Sequence, residues 1–283
     1  MRPGLRRTVV VGLAAALFGA AAPLAFAGQD PVPAPLPAAG AAPAATAAPA
    51  ATAAPVRDDG RRTLSRFPVN LLRGTVGVFS TDNIKPLLIG GAAAGVGAIF
   101  DDDVAEAIAD PENGLGTTLE DGAAPAVLGA AVTVLFVTGR AVDGPRYRAM
   151  TYDLMHAFLI NAGYTTLLKE VVRRERPNGE DNLSFPSGHS SNAFALAAVA
   201  ERHYGWKAGV PAYALASAVA VSRLQRNKHY LSDVMAGATL GYIVGRTVVR
   251  VNGKPLEAPK GAQFSVSPVI TRHSRALVAG VTF

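Results

Sequence analysis

Two histidines, an aspartate and three fixed cations fall within about 65 residues of this 283-residue chain, in an order that suits chemistry on an oxyanion. Lys169, Arg173 and Arg176 stand at i, i+4 and i+7, so a helix running from Asn161 to Glu175 and stopped by Pro177 puts them on one face. A solvated basic flank has the same pattern. Phe185-Pro186-Ser187-Gly188 reads as a tight turn leading through His189 into an Ala-rich helix. Such a junction points several backbone N–H groups at one spot, where the helix dipole also favours an anion. Plain N-terminal capping by Ser187 or Ser190 fits the same residues. His229 and Asp233, four apart on a helix, place a carboxylate one turn from an imidazole. The carboxylate then accepts from one ring nitrogen and leaves the lone pair of the other facing outward. A surface ion pair has that spacing too. Arg223, six residues upstream of His229, offers a planar fork matched to phosphate oxygens.

Each cluster alone is ambiguous, but their order is specific. Lys169-x6-Arg176-Pro177, Pro186-Ser187-Gly188-His189 and Ser222-Arg223-x5-His229-x3-Asp233 together resemble the three-part signature of the type 2 phosphatidic acid phosphatase (PAP2) superfamily. That superfamily also holds bacterial acid phosphatases, undecaprenyl-pyrophosphate phosphatases and vanadium-dependent haloperoxidases. The resemblance implies an all-α, multi-helix bundle and a metal-independent phosphatase acting on phosphomonoesters or pyrophosphates through a phosphohistidine. In that reading His229 is the nucleophile, Asp233 orients it and stabilises its positive charge, and His189 protonates the leaving oxygen and then activates water. Lys169, Arg176 and Arg223, with Ser187 and the N–H of Gly188, hold the equatorial oxygens. No cofactor is implied, except vanadate in the alternative haloperoxidase reading. A non-catalytic anion-binding envelope protein is the third reading. The substrate class it implies is a phosphorylated lipid or a small phosphate ester.

The elements that must position these clusters follow from periodicity. Apolar, Pro-free stretches predict helices at 67–79, 86–100, 104–109, 125–138, 146–175, 190–204, 209–223 and 231–250, with a loop over 111–121. Asp101-Asp102-Asp103 is expected to cap its own helix rather than bind metal. Tyr152 and His156 are expected to be packing residues, and His203 needs no special role. Gly237, Gly241 and Gly245 recur every four residues and predict close approach by a neighbouring helix.

Composition bounds the rest. Half the residues are hydrophobic (49%), enough for one substantial domain with appendages. The net charge of +6 comes from scattered basic residues without interleaved aromatics, which argues against a nucleic-acid partner and suits contact with anionic lipid headgroups. There is no cysteine, so stability comes from packing alone. Residues 1–27 read as a signal peptide: Arg2, Arg6 and Arg7, an apolar run from Thr8 to Ala22, then Ala25-Phe26-Ala27. Residues 28–62 read as an Ala/Pro-rich linker, 63–252 as the helical domain and 253–283 as an extension with a C-terminal β-hairpin. The runs 86–100, 125–138 and 208–221 are shorter than the roughly 20 residues a spanning helix needs. The expectation is an exported, periplasmic or envelope domain with affinity for a membrane surface. Its oligomeric state is not legible.

Overall fold

The computed structural model describes residues 61–112, 114–142 and 144–253, and the backbone of 263–270 and 275–282. The expected signal peptide, and the linker up to residue 60, lie outside the described residues. The described chain is mostly helical, as expected. Nine α-helices are described: α1 (Phe67–Gly77), α2 (Ile84–Ile99), α3 (Asp101–Ile108), α4 (Gly114–Gly122), α5 (Pro125–Ala141), α6 (Pro145–Val172), α7 (Gly188–Tyr204), α8 (Trp206–Gln225) and α9 (Leu231–Asn252). Proline stands in the first turn of α1, α5 and α6, where its missing N–H costs nothing. α7 ends on Gly205 at φ +77°, a left-handed position that glycine takes without a Cβ clash.

α9 is the central element and packs on α7, α2, α6, α1 and α8. Between α7 and α9 the glycine stripe lets backbone meet backbone. A Cβ on Gly237 would lie 2.5 Å from the Ser187 carbonyl oxygen, and one on Gly241 or Gly245 would collide with the Ser191 or Ala195 carbonyl. Two apolar clusters flank this seam. One joins Val104, Phe194, Tyr213, Leu224, Leu231 and Val234, and the other joins Val132, Leu154, Ile160, Val199, Val244 and Val248. Burying a side chain of this size contributes about 1.5–3 kcal/mol.

Two local expectations are corrected. Residues 114–122 form α4, where a loop was expected; the Asn113-Gly114 turn signal is outweighed by packing on α8. α6 stops at Val172 instead of Glu175, because Arg173 turns into the left-handed region at φ 48°. Among the described residues α9 is a single helix long and apolar enough to cross a membrane, and about half of that stretch (56%) is buried in the bundle. Finally, Gln263–Ile270 and Arg275–Thr282 pair antiparallel in a second unit, Gly253–Phe283. Backbone pairing is all that is described there, and the expected C-terminal β-hairpin is not supported beyond it.

Candidate active site

The first cluster reaches the site from the end of α6 and the coil after it. With the helix ending at Val172, Lys169 and Arg176 do not share a helical face, and Arg173 is exposed and paired with Glu170 at 2.7 Å. Lys169 Nζ donates to the Leu183 carbonyl. Arg176 is held in the coil by Asp181, 2.6 Å from its Nε, and by the Lys228 carbonyl, 3.1 Å from its Nη1. Asp181 also accepts the Leu183 N–H at 2.8 Å, so one carboxylate fixes the cation and the loop leading to the second cluster.

The second cluster opens α7. Ser187 occupies the N-cap position with extended backbone, yet its side chain makes no capping bond. Its hydroxyl is buried without a hydrogen-bond partner, and Ser190 Oγ donates instead to the Val234 carbonyl at 2.9 Å. Capping by either serine therefore does not explain the motif. Gly188 and half-buried His189 form the first turn of α7, and the Ser187 N–H is bonded to the Asp233 carbonyl at 3.0 Å. A Cβ on Gly188 would touch the Thr165 methyl at 3.4 Å and Lys169 Cε at 3.9 Å, so the Ser187 turn and α6 meet here. Thr165 was not singled out from the sequence. It lies one turn before Lys169, and its buried hydroxyl also has no partner.

The third cluster departs most from expectation. α9 begins at Leu231, so His229 precedes the helix instead of sitting on it. Its Nδ1 is 2.7 Å from the Ser184 carbonyl and 4.0 Å from Asp233 Oδ2. A carbonyl can only accept, so Nδ1 carries the proton and Nε2 the lone pair. Asp233 does not make the direct bond that the i,i+4 spacing suggested. Its Oδ2 accepts from Ser184 Oγ at 2.6 Å and from the Tyr230 N–H at 2.9 Å, and its Oδ1 from Arg174 Nη1 at 2.7 Å. The link from carboxylate to imidazole runs through Ser184.

Asp101 does not cap its own helix. Its carboxylate accepts the Ser232 N–H at 2.9 Å and so serves the start of α9 across space. Nothing in residue type or spacing marks Ser184 or Asp101, whose partners lie 45 and 131 residues away.

The electrostatics follow from burial among cations. His229 is 2% exposed and Arg223 is 3% exposed. Burial first, then Arg223, Lys169 and Arg176, hold the His229 imidazole well below its usual range, so it is neutral at pH 7. Burial, with Arg176 nearby, lowers the Lys169 ammonium to about 8. Burial raises the Asp233 carboxyl, opposed by its bonds from Ser184, Tyr230 and Arg174. A buried, neutral imidazole is thus set in the field of three cations.

Residues 151–256 match the PAP2 superfamily. Among curated proteins, the lipid A 1-phosphatase of Porphyromonas gingivalis is 33% identical over 112 residues, 38% of this chain and 24% of that protein. The decaprenylphosphoryl-5-phosphoribose phosphatase of Mycobacterium tuberculosis is 35% identical over 113 residues, 37% of this chain and 62% of that protein. The chain thus spans less than two thirds of either relative. The crystal structure of the first transmembrane PAP2 type phosphatidylglycerolphosphate phosphatase from Bacillus subtilis overlaps 65% of this chain and 92% of its own. At a TM-score of 0.42 and 21% identity, that likeness is too loose to carry an argument. All three clusters lie inside the segment that matches the PAP2 superfamily, residues 151–256.

Proposed function

We propose that this protein is a phosphatase that transfers the phosphoryl group of a phosphorylated amphiphile to His229 and then to water, with no metal ion. The observation that carries this reading is the state of His229. Its Nδ1 is committed to the Ser184 carbonyl, and burial, then the surrounding cations, keep the ring neutral. In the first step Nε2 attacks phosphorus while the bond to the leaving oxygen breaks, and His189 gives that oxygen a proton. In the second, His189 takes a proton from water, the water oxygen attacks phosphorus, and the P–N bond breaks to release phosphate. Lys169, Arg176 and Arg223 neutralise the equatorial oxygens, and Ser187 Oγ and the Gly188 N–H donate to them. Positioning and charge neutralisation are the main demands of phosphoryl transfer, which is why fixed cations suffice.

An amphiphilic substrate is supported from two sides. The names of the two curated relatives, lipid A 1-phosphatase and decaprenylphosphoryl-5-phosphoribose phosphatase, refer to phosphorylated lipids. The bundle also leaves Leu72, Val76, Phe79, Leu87, Leu88 and Ile99 on α1, α2 and the turns beside them largely exposed, an apolar surface that favours a membrane. An envelope location fits the basic-then-apolar pattern of residues 1–27.

The test is a phosphate-release screen on an isoprenyl pyrophosphate, a phosphatidic acid and a soluble aryl phosphate, with and without detergent and chelator. Expected are turnover of a lipid substrate unaffected by chelator, and an acid-labile phosphoprotein that His229→Ala does not form. Absence of turnover on the whole panel, or an active His229→Ala protein, overturns the reading.

A further inference from the structure

His229 is anchored by a carbonyl, and a carbonyl can orient a ring only as well as its own peptide is held. The Ser184 peptide is held from two directions, and both lead to one arginine. The Ser184 N–H donates to the Arg174 carbonyl at 2.9 Å. Ser184 Oγ donates to Asp233 at 2.6 Å, and Asp233 is gripped at 2.7 Å by Arg174 Nη1. The guanidinium is itself fixed. Its Nη2 donates to Asp101 at 2.8 Å, its Nη1 also donates to Ser232 Oγ at 2.7 Å, and it lies over the Tyr230 ring at 4.1 Å. Asp101 closes the loop by accepting from Ser232 Oγ at 2.6 Å.

We propose that Arg174 and Asp101 are positioning residues that act through Asp233 and Ser184 to hold His229 in its Nδ1–H tautomer. Neither belongs to the anion cradle, and neither touches His229. The fork matters as much as the charge. One guanidinium spans two carboxylates on different helices, Asp101 at the start of α3 and Asp233 in the first turn of α9. A lysine at 174 keeps the positive charge but reaches one carboxylate at a time. The arrangement couples three separate chain segments to a single hydrogen bond on the imidazole. Its weight for turnover rests on the reading of His229 as nucleophile.

The experiment uses the full chain with 15N-labelled histidine, the His229 signals being assigned by their loss in His229→Ala. The wild type is expected to give a single Nδ1–H tautomer. Arg174→Lys and Ser184→Ala are expected to give mixed tautomers and a kcat lower by about 10- to 100-fold, with KM changed less than about threefold. Asp101→Asn, which keeps the shape and can still accept from Arg174, is expected to lie between them and the wild type. A single wild-type tautomer in folded Arg174→Lys and Ser184→Ala overturns the proposal, and so does loss of activity expressed mainly in KM. A wild type with the expected tautomer but no turnover on any phosphate would instead overturn the phosphatase reading and leave the positioning intact.

Discussion

Two buried carboxylates mark the two ends of the central helix, and they are used in opposite ways. Asp153, fully buried on α6, meets the last residue of α9. It accepts from Arg62 Nε and Nη2 at 3.0 and 2.9 Å, from His203 Nε2 at 2.8 Å and from Asn252 Nδ2 at 2.7 Å. Asp233 lies in the first turn of α9, about 30 Å away by helix rise. It too is saturated, but its surroundings are not, for Ser187 and Thr165 present buried hydroxyls without partners beside a surplus of positive charge. A buried polar cluster complete in itself has a structural use, whereas unbonded hydroxyls among fixed cations match the oxygens of an anionic group. His203, expected to need no special role, belongs to the complete cluster.

The contrast is broken most sharply by exchanging the effects. His229→Ala should lower turnover by at least about a thousandfold while the protein still melts cooperatively, as followed by phosphate release and circular dichroism. Asp153→Ala should do the reverse. It removes the carboxylate that neutralises the buried Arg62 guanidinium, and should cost about 3–5 kcal/mol in denaturant unfolding, with the folded fraction fully active. If Asp153→Ala removed activity without loss of stability, the distinction between the two ends would fail. Next in size is the ligand effect. Orthophosphate at about 100 times its Kd should stabilise the wild type by about 2.7 kcal/mol and Arg223→Ala far less, read as a shift in melting temperature.

The smallest effect is in pH. Lys169 loses its proton as pH rises through about 8, so the cradle loses a cation on the alkaline side and kcat/KM should fall there by up to about tenfold per pH unit. Bound phosphate opposes that deprotonation, so the limb in kcat should lie at higher pH. Lys169→Arg should remove the limb from kcat/KM, and a limb that stays in place would assign it to another group.

The cations and imidazoles were legible because phosphate chemistry demands particular side chains at particular spacings. What they lean on was not. Ser184 acts on His229 through a backbone carbonyl, which every residue possesses, so no residue type could have pointed to it. Asp101 looked like a local cap because acidic residues in a first turn usually are, and only tertiary contact turns it toward α9. The end of α6 was misplaced by three residues because Arg173 takes a left-handed turn that glycine usually signals. Arg173 fitted the helical face, yet its neighbour Arg174 makes the contacts.

The glycine seam also sets how firmly the cradle is mounted. At Gly237 the Ser187 peptide rests on α9 with no side chain between them to yield. Four residues away on the same helix, Asp233 fixes the peptide that anchors His229. The Ser187 loop and the His229 anchor are therefore bolted to one rod at neighbouring points, and thermal drift of the helix carries both along together. A single methyl at 237 would wedge them apart well before it loosened the bundle.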